Sequence, residues 1–223
     1  MHLRSNNHVF WLDIDTTTWS DSIEIQIRNS NSQLCLSVYD DEVILQDLIY
    51  YDTWSIDKQN EMKTETIEML HAAFKAVLHA FPTVTKIVFA DKSYYPHPTL
   101  GNIPIPEYTF FIYGKTWFQE YFGAIPLKRT QRILNKYFIA RNWTLSNNTT
   151  VWQYMLAEKK RMMEKDIHNL REKLGLPLLT GTQWEINRSV VEQYPTAGVF
   201  EQGQLGGRKP RQSKVERYIP RVH

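Results

Sequence analysis

The sequence predicts an α/β protein of mixed, α+β type, with a central sheet and flanking helices, on the strength of two patterns. Several runs within the first fifty residues read as strands, and 22–28 alternates apolar and polar positions with the period of two of a half-buried strand. Residues 61–81 and 150–175 instead repeat apolar residues at the helical spacing of three and four. A third observation bounds the size: 223 residues, 42% hydrophobic and 13% aromatic, suffice for one sizeable core.

The elements follow in order. Residues 8–14 are mostly apolar, and 22–28 alternate cleanly. The Asn/Ser cluster at 29–32 is a turn, 34–39 a further strand, and Asp40-Asp41 punctuates before the strand at 43–51. Together these predict an antiparallel meander. In the helix at 61–81, Ile67, Leu70, Phe74, Val77, Leu78 and Phe81 share one stripe, and Pro82 stops it. Residues 85–90 read as a buried strand that emerges at Asp91-Lys92-Ser93, completing a β-α-β crossover from strand 43–51.

Four prolines (Pro96, Pro98, Pro104, Pro106) predict an extended loop over 94–107, followed by a strand at 108–113. Gly114-Lys115-Thr116 leads into a short aromatic helix, 117–122, closed by Gly123. Trp117, Tyr121 and Phe122 are read as core side chains rather than a ligand-stacking surface. Pro126 opens the next helix, 127–141, with Ile133, Leu134, Tyr137 and Phe138 on one face. Thr150 and Gln153 form a capping-box pattern at the head of the last long helix. Trp152, Met155, Leu156, Met162, Met163, Ile167, Leu170 and Leu174 supply its apolar face, Gly175 its C-cap, and Pro177 lies just beyond. The predicted organisation is a core over 1–125, a helical extension packed on it over 126–195, and an extended, flexible basic tail over 196–223, where apolar residues thin out.

The net charge of +2 is unevenly spread. Residues 206–223 carry Arg208, Lys209, Arg211, Lys214, Arg217 and Arg221 against the single acid Glu216, leaving the rest of the chain mildly acidic. Those six cations are the predicted partner-binding residues. Cys35 is the only cysteine, which excludes an internal disulfide and a cysteine zinc site, and it reads as a buried, inert thiol at the start of a strand. The first residues lack a secretory pattern, and no apolar run is long enough to span a membrane, so the predicted compartment is intracellular, cytoplasmic, without membrane insertion.

Much chemistry is excluded by composition. All nine glycines lie at position 101 or later, so the turn from 52 to 62 lacks the backbone cradle that a dinucleotide pyrophosphate needs. Gly114-Lys115-Thr116 ends like a phosphate loop, but Thr109 stands where that loop needs its first glycine. The seven histidines show no metal-ligand spacing, with His71 and His79 read as exposed or core-edge on one helix, so no metal is expected. Asp13 and Asp15 read as a turn cap before a catalytic carboxylate pair.

Strand meander, strand, helix 61–81, strand 85–90 and aromatic helix, over residues 8–125, resemble the GNAT family of acyl-CoA-dependent N-acetyltransferases. The resemblance implies a GNAT-like mixed sheet and places the cofactor loop at Ser55-Ile56-Asp57-Lys58-Gln59-Asn60-Glu61-Met62. That segment has no glycine, and it sets Asp57 and Glu61 where anionic phosphates would lie. Trp117-Phe118-Gln119-Glu120-Tyr121-Phe122-Gly123 looks like the family's Tyr-x-x-x-Gly-Phe helix end, with Phe118, which donates no proton, at the tyrosine position. Asp91-Lys92-Ser93 and Tyr113-Gly114-Lys115-Thr116-Trp117-Phe118 also resemble stretches of uncharacterised proteins encoded by large cytoplasmic DNA viruses, which implies a virion-associated or accessory role.

The leading expectation is therefore a non-catalytic structural or interaction protein without a cofactor. It would act on protein partners, by assembly or as a homo-oligomer, with the basic tail as a docking arm. The alternatives are an N-acyltransferase using acetyl-CoA, with Tyr121, Glu42 and Asp91 as its candidate catalytic residues, and a nucleic-acid-binding protein working through the tail.

Overall fold

Seven strands among the described residues share one sheet, and four of them form an antiparallel meander. The structure is a computed structural model; it describes residues 2–4, 9–11, 13–19, 21–28, 32–50, 59–97, 101–145, 148–158 and 164–194. Its elements are β1 (His2–Arg4), β2 (Val9–Trp11), β3 (Asp13–Thr18), β4 (Ile23–Arg28), β5 (Ser32–Val38), β6 (Glu42–Tyr50), α1 (Gln59–Ala80), β7 (Lys86–Asp91), β8 (Tyr94–His97), β9 (Gly101–Pro104), α2 (Ile105–Tyr113), α3 (Trp117–Phe122), β10 (Ile125–Pro126), α4 (Lys128–Arg141), α5 (Val151–Glu158), α6 (Glu164–Lys173), β11 (Thr182–Asn187) and α7 (Arg188–Val191). The sheet order is β10-β11-β7-β6-β5-β4-β3, and β1-β2 and β8-β9 are separate ribbons. The chain divides into two compact units, one reaching Val88 and resuming at Ile186, the other spanning Phe89–Glu185. No helix among the described residues is long and apolar enough to cross a membrane.

In the first unit, β3, β4, β5 and β6 pair antiparallel in succession as the expected meander, but its first strand runs Asp13–Thr18 rather than 8–14. Alternate residues are buried: Ile25 and Ile27, then Leu34, Leu36 and Val38, then Val43 and Leu45. The register sets Ile27 opposite Leu34 and Leu36 opposite Leu45, so apolar partners face one another across the strands. One extra residue, Gln46, bulges β6 between the partners of Cys35 and Leu36. Asp13 and Asp15 lie within β3, opposite Arg28 and Gln26, rather than in a turn. Cys35 differs from expectation too. It lies mid-strand and half-buried, on the polar face with its Sγ 3.6 Å from Glu24 Oε1, because strand alternation gives the core to Leu34 and Leu36.

Helix α1 completes this unit's core with Met69, Leu70, Ala73, Phe74, Val77 and Leu78. His71 stacks on Tyr194, ring centroids 4.1 Å apart, and His79 is exposed. The open carbonyls at the end of α1 are satisfied by Arg188, which donates from Nη2 to Leu78 O (2.7 Å) and Phe81 O (2.8 Å), and from Nε to Val84 O (2.8 Å). A cation at a helix C-terminus also complements the dipole. Arg188→Ala should therefore lower stability by about 2 kcal/mol in urea unfolding. Arg188→Lys should recover less than half, since one ammonium does not span three carbonyls. A loss below about 0.5 kcal/mol would mean that water replaces the guanidinium at no cost.

In the second unit the structure corrects two expectations. Within 94–107, expected as an extended loop, β8 and β9 form an antiparallel ribbon, with Pro96 tolerated because a two-stranded ribbon leaves one edge of each strand unpaired. Residues 108–113, expected as a strand, belong to α2. Pro106 sits in its first turn, where proline costs no hydrogen bond, and Gly114 closes it at φ 75°. The run Phe110-Phe111-Ile112 is apolar at every position and so carries no period. Burial of Pro106, Glu107, Phe110 and Phe111, at helical spacing, decides for the helix.

The last long helix is seen as α5 and α6, with 159–163 outside the described residues. Its predicted caps are present. Thr150 accepts from Gln153 N (3.1 Å) while Gln153 accepts from Thr150 N (2.8 Å), and Gly175 at φ 60° lets Leu176 N bond back to Arg171 O (2.9 Å). Met155 and Ile167 are buried as predicted, whereas Trp152 and Leu156 are exposed. Within 126–195, expected to be helical, Thr182–Asn187 is instead strand β11, which buries Trp184 and Ile186.

Candidate functional site

Strand β7 buries every second residue, Ile87, Phe89 and Asp91, so a carboxylate occupies a core position. Asp91, expected to emerge at the strand end, is only 1% exposed. Its Oδ1 accepts from the Ser93 backbone N (3.1 Å) and from the Ser93 hydroxyl, and its Oδ2 is buried without a hydrogen-bond partner. Burial pushes its carboxyl up to about 6, the Ser93 bonds pull the other way, and the nearby charge of Glu107 adds to the rise.

Glu107, on the first turn of α2, is fully buried. Its Oε1 accepts from Leu179 N and Thr180 N, both at 2.9 Å, and its Oε2 from the Thr180 hydroxyl at 2.5 Å. Gly181 N donates to Asp91 O (2.6 Å), and the Thr182 hydroxyl to Leu179 O (2.6 Å). The Glu107 carboxylate and the Asp91 backbone carbonyl thus hold the turn that launches β11. Glu107 was not singled out in the sequence, although it is the one charged residue among the apolar residues 103–112, which is the signal that would have found it. A pocket of about 320 Å³ opens beside this turn, with Lys92, Tyr94, His168 and Arg171 in its lining. Arg171 and His168 engage each other at 3.2 Å, and His168 meets Glu172 at 3.2 Å.

The other candidates make local contacts. Glu42, in the first unit, opens β6 and pairs with Lys86 at 3.3 Å. Tyr121 is half-buried on α3, its ring centroid 5.9 Å from that of Trp117. Phe122 is buried as expected, Trp117 is half-buried, and Phe118 is buried with Phe89 at 4.3 Å. The phosphate-loop lookalike is a pair of helix caps. Gly114 N donates to Phe110 O at the end of α2, Lys115 pairs with Glu120 (3.1 Å), and Thr116 with Gln119 makes a capping box on α3. A side chain at Gly114 would meet the Arg141 guanidinium at 2.9 Å. Residues 55–58 of the cofactor-loop segment, and the tail cations Arg208, Lys209, Arg211, Lys214, Arg217 and Arg221, lie outside the described residues.

A different surface stands out. Helix α4 buries Thr130, Leu134, Tyr137 and Ala140, and Tyr137 is fixed by its hydroxyl donating to Pro177 O (2.9 Å). This orientation turns Phe138, expected on the buried face, outward at 58% exposure, with Ile139 at 60% and Trp143 at 53%. The link to α5 is tight: Thr144 bridges Thr150 and Val151 N donates to Trp143 O (2.8 Å). It places the exposed Trp152 nearby, which packs on Arg141 at 5.1 Å and donates to Ile112 O at 3.0 Å. Tyr113, also exposed, adjoins that carbonyl. Exposed large apolar side chains thus occur on α4, just past its end and at the start of α5. Sequence reasoning assigned Phe138 and Trp152 to the core because both fall near an apolar stripe; only packing shows which edge of the stripe is covered.

No family model matches this chain, and neither a curated protein nor a solved structure matches it.

Proposed function

We propose that this is a non-catalytic interaction protein with a GNAT-like core, whose docking surface is the outer face of α4 and the start of α5. The observation that carries the reading is the exposure of Phe138, Ile139 and Trp143 within six residues at and just past the end of a helix that buries another face. Single exposed apolar residues are ordinary, but such a group at one place marks an interaction site. The engagement of Glu42 by Lys86, and of Glu107 by the β11 turn, supports a structural rather than a catalytic use of these carboxylates. The order of meander, β6, α1, β7 supports the family resemblance, and the basic tail serves as an arm on a neighbouring subunit or on DNA, in a virion if the viral resemblance holds.

The test is thermal unfolding with and without millimolar acetyl-CoA. A ligand that binds only the native state must raise the melting temperature, so the reading expects no shift. A concentration-dependent rise would overturn it in favour of an acyltransferase.

A further inference from the structure

Helix α4 carries Lys128, Arg129, Arg132, Lys136 and Arg141 and not one acid. Arg141 turns inward, donating from Nε to Phe111 O (3.0 Å) and from Nη2 to Ile112 O (3.2 Å). The other four are exposed, and among the described residues none of them makes an ion pair. Arg129, Arg132, Lys136 and Ile139 follow one another at intervals of three and four, which aligns them in a single stripe about 15 Å long, and Trp143 follows four residues on, just past the helix. Trp143 stays near the helix end because its N–H closes a turn on Ala140 O (3.1 Å). Uncharged amides flank the stripe: Gln131 bonded to Asn135 (2.9 Å), and Asn142, which donates to Phe138 O (2.8 Å).

We propose that this stripe is a track for a single strand of nucleic acid, with Arg129, Arg132 and Lys136 on successive phosphates and Trp143 stacked on a base. The proposal rests on the reading of this face as a docking surface and names its partner. Three unpaired cations in a row match a polymer of uniform negative charge, and an exposed aromatic at the end of a cationic run is how single strands are held without sequence preference. A membrane surface fits less well. A helix lying on lipid must bury a continuous apolar face, and the apolar face of α4 is already covered by Leu134, Tyr137 and Ala140 packing inward.

The experiment is fluorescence anisotropy of a labelled single-stranded oligothymidylate with the full chain, across a salt series. An R132E/K136E variant changes only exposed positions, so circular dichroism and melting temperature should be unaltered. It should bind at least about tenfold more weakly and flatten the slope of log K against log salt by about one to two. Trp143→Ala should cost about tenfold in affinity for the single strand while leaving the salt slope unchanged. Wild-type affinity in both variants would overturn the proposal, as would binding lost only when the six tail cations are replaced. Capture of phosphatidylserine vesicles that R132E/K136E abolishes, without oligonucleotide binding, would overturn the nucleic-acid assignment. In each of these cases the docking-surface reading stands unless acetyl-CoA raises the melting temperature.

Discussion

Glu107→Ala is expected to lower stability by about 4 kcal/mol, the largest single effect in the second unit. The substitution strands Leu179 N, Thr180 N and the Thr180 hydroxyl, three donors that now share one buried carboxylate. Hydrogen bonds to a charged acceptor contribute about 1.5 kcal/mol or more each, and a donor left buried and unpaired loses its water as well. Glu107→Gln keeps the size and one carbonyl oxygen for the two backbone donors, so it should lose less, about 2 kcal/mol. Urea unfolding gives the totals. Hydrogen exchange should locate the damage at 179–187, the turn and strand β11 that it launches. A Glu107→Ala protein within about 1 kcal/mol of wild type would show that the turn holds without its carboxylate.

Asp91 should make the protein less stable at neutral than at acid pH. Its carboxyl ionises near the ordinary 3.8 in the unfolded chain and near 6 in the fold, burial being the main cause. Between these values the folded chain holds a proton that the unfolded chain has released. The stabilisation from this group is therefore complete below about pH 3.8 and is lost as pH rises through about 6, a swing on the order of 3 kcal/mol. Asp91→Asn mimics the protonated acid and keeps an oxygen for the two Ser93 bonds. The variant should match wild type at about pH 4 and exceed it by roughly 2–3 kcal/mol at about pH 7.5. A gap that stays constant with pH would show that Asp91 does not titrate in this range.

These two carboxylates show how far the sequence reaches. Asp91 was visible as a polar residue closing a buried strand, but its burial was not, because strand alternation leaves open whether the last inward position faces core or solvent. Glu107 stands out as a charge among apolar residues, yet its partners lie more than seventy residues along the chain, and no local spacing names them. Phe138 and Trp152 fall at the margin of an apolar stripe, and their exposure depended on which neighbouring elements arrived.

The sequence by itself determined whatever is encoded within a few residues. That includes strands β4 to β6 of the meander and helix α1 with its stop at Pro82. It includes the capping box of Thr150 and Gln153 and the Gly175 terminus, where hydrogen-bond partners are three to five positions apart. The tertiary structure alone decided the rest. It made 105–113 a helix, since a continuously apolar run has no period until burial selects one face. It placed β11 beside β7 in the sheet, a pairing between segments some ninety residues apart. It also turned Arg129, Arg132 and Lys136 of α4 outward in one stripe, because packing of Leu134 and Tyr137 fixed the rotation of the helix.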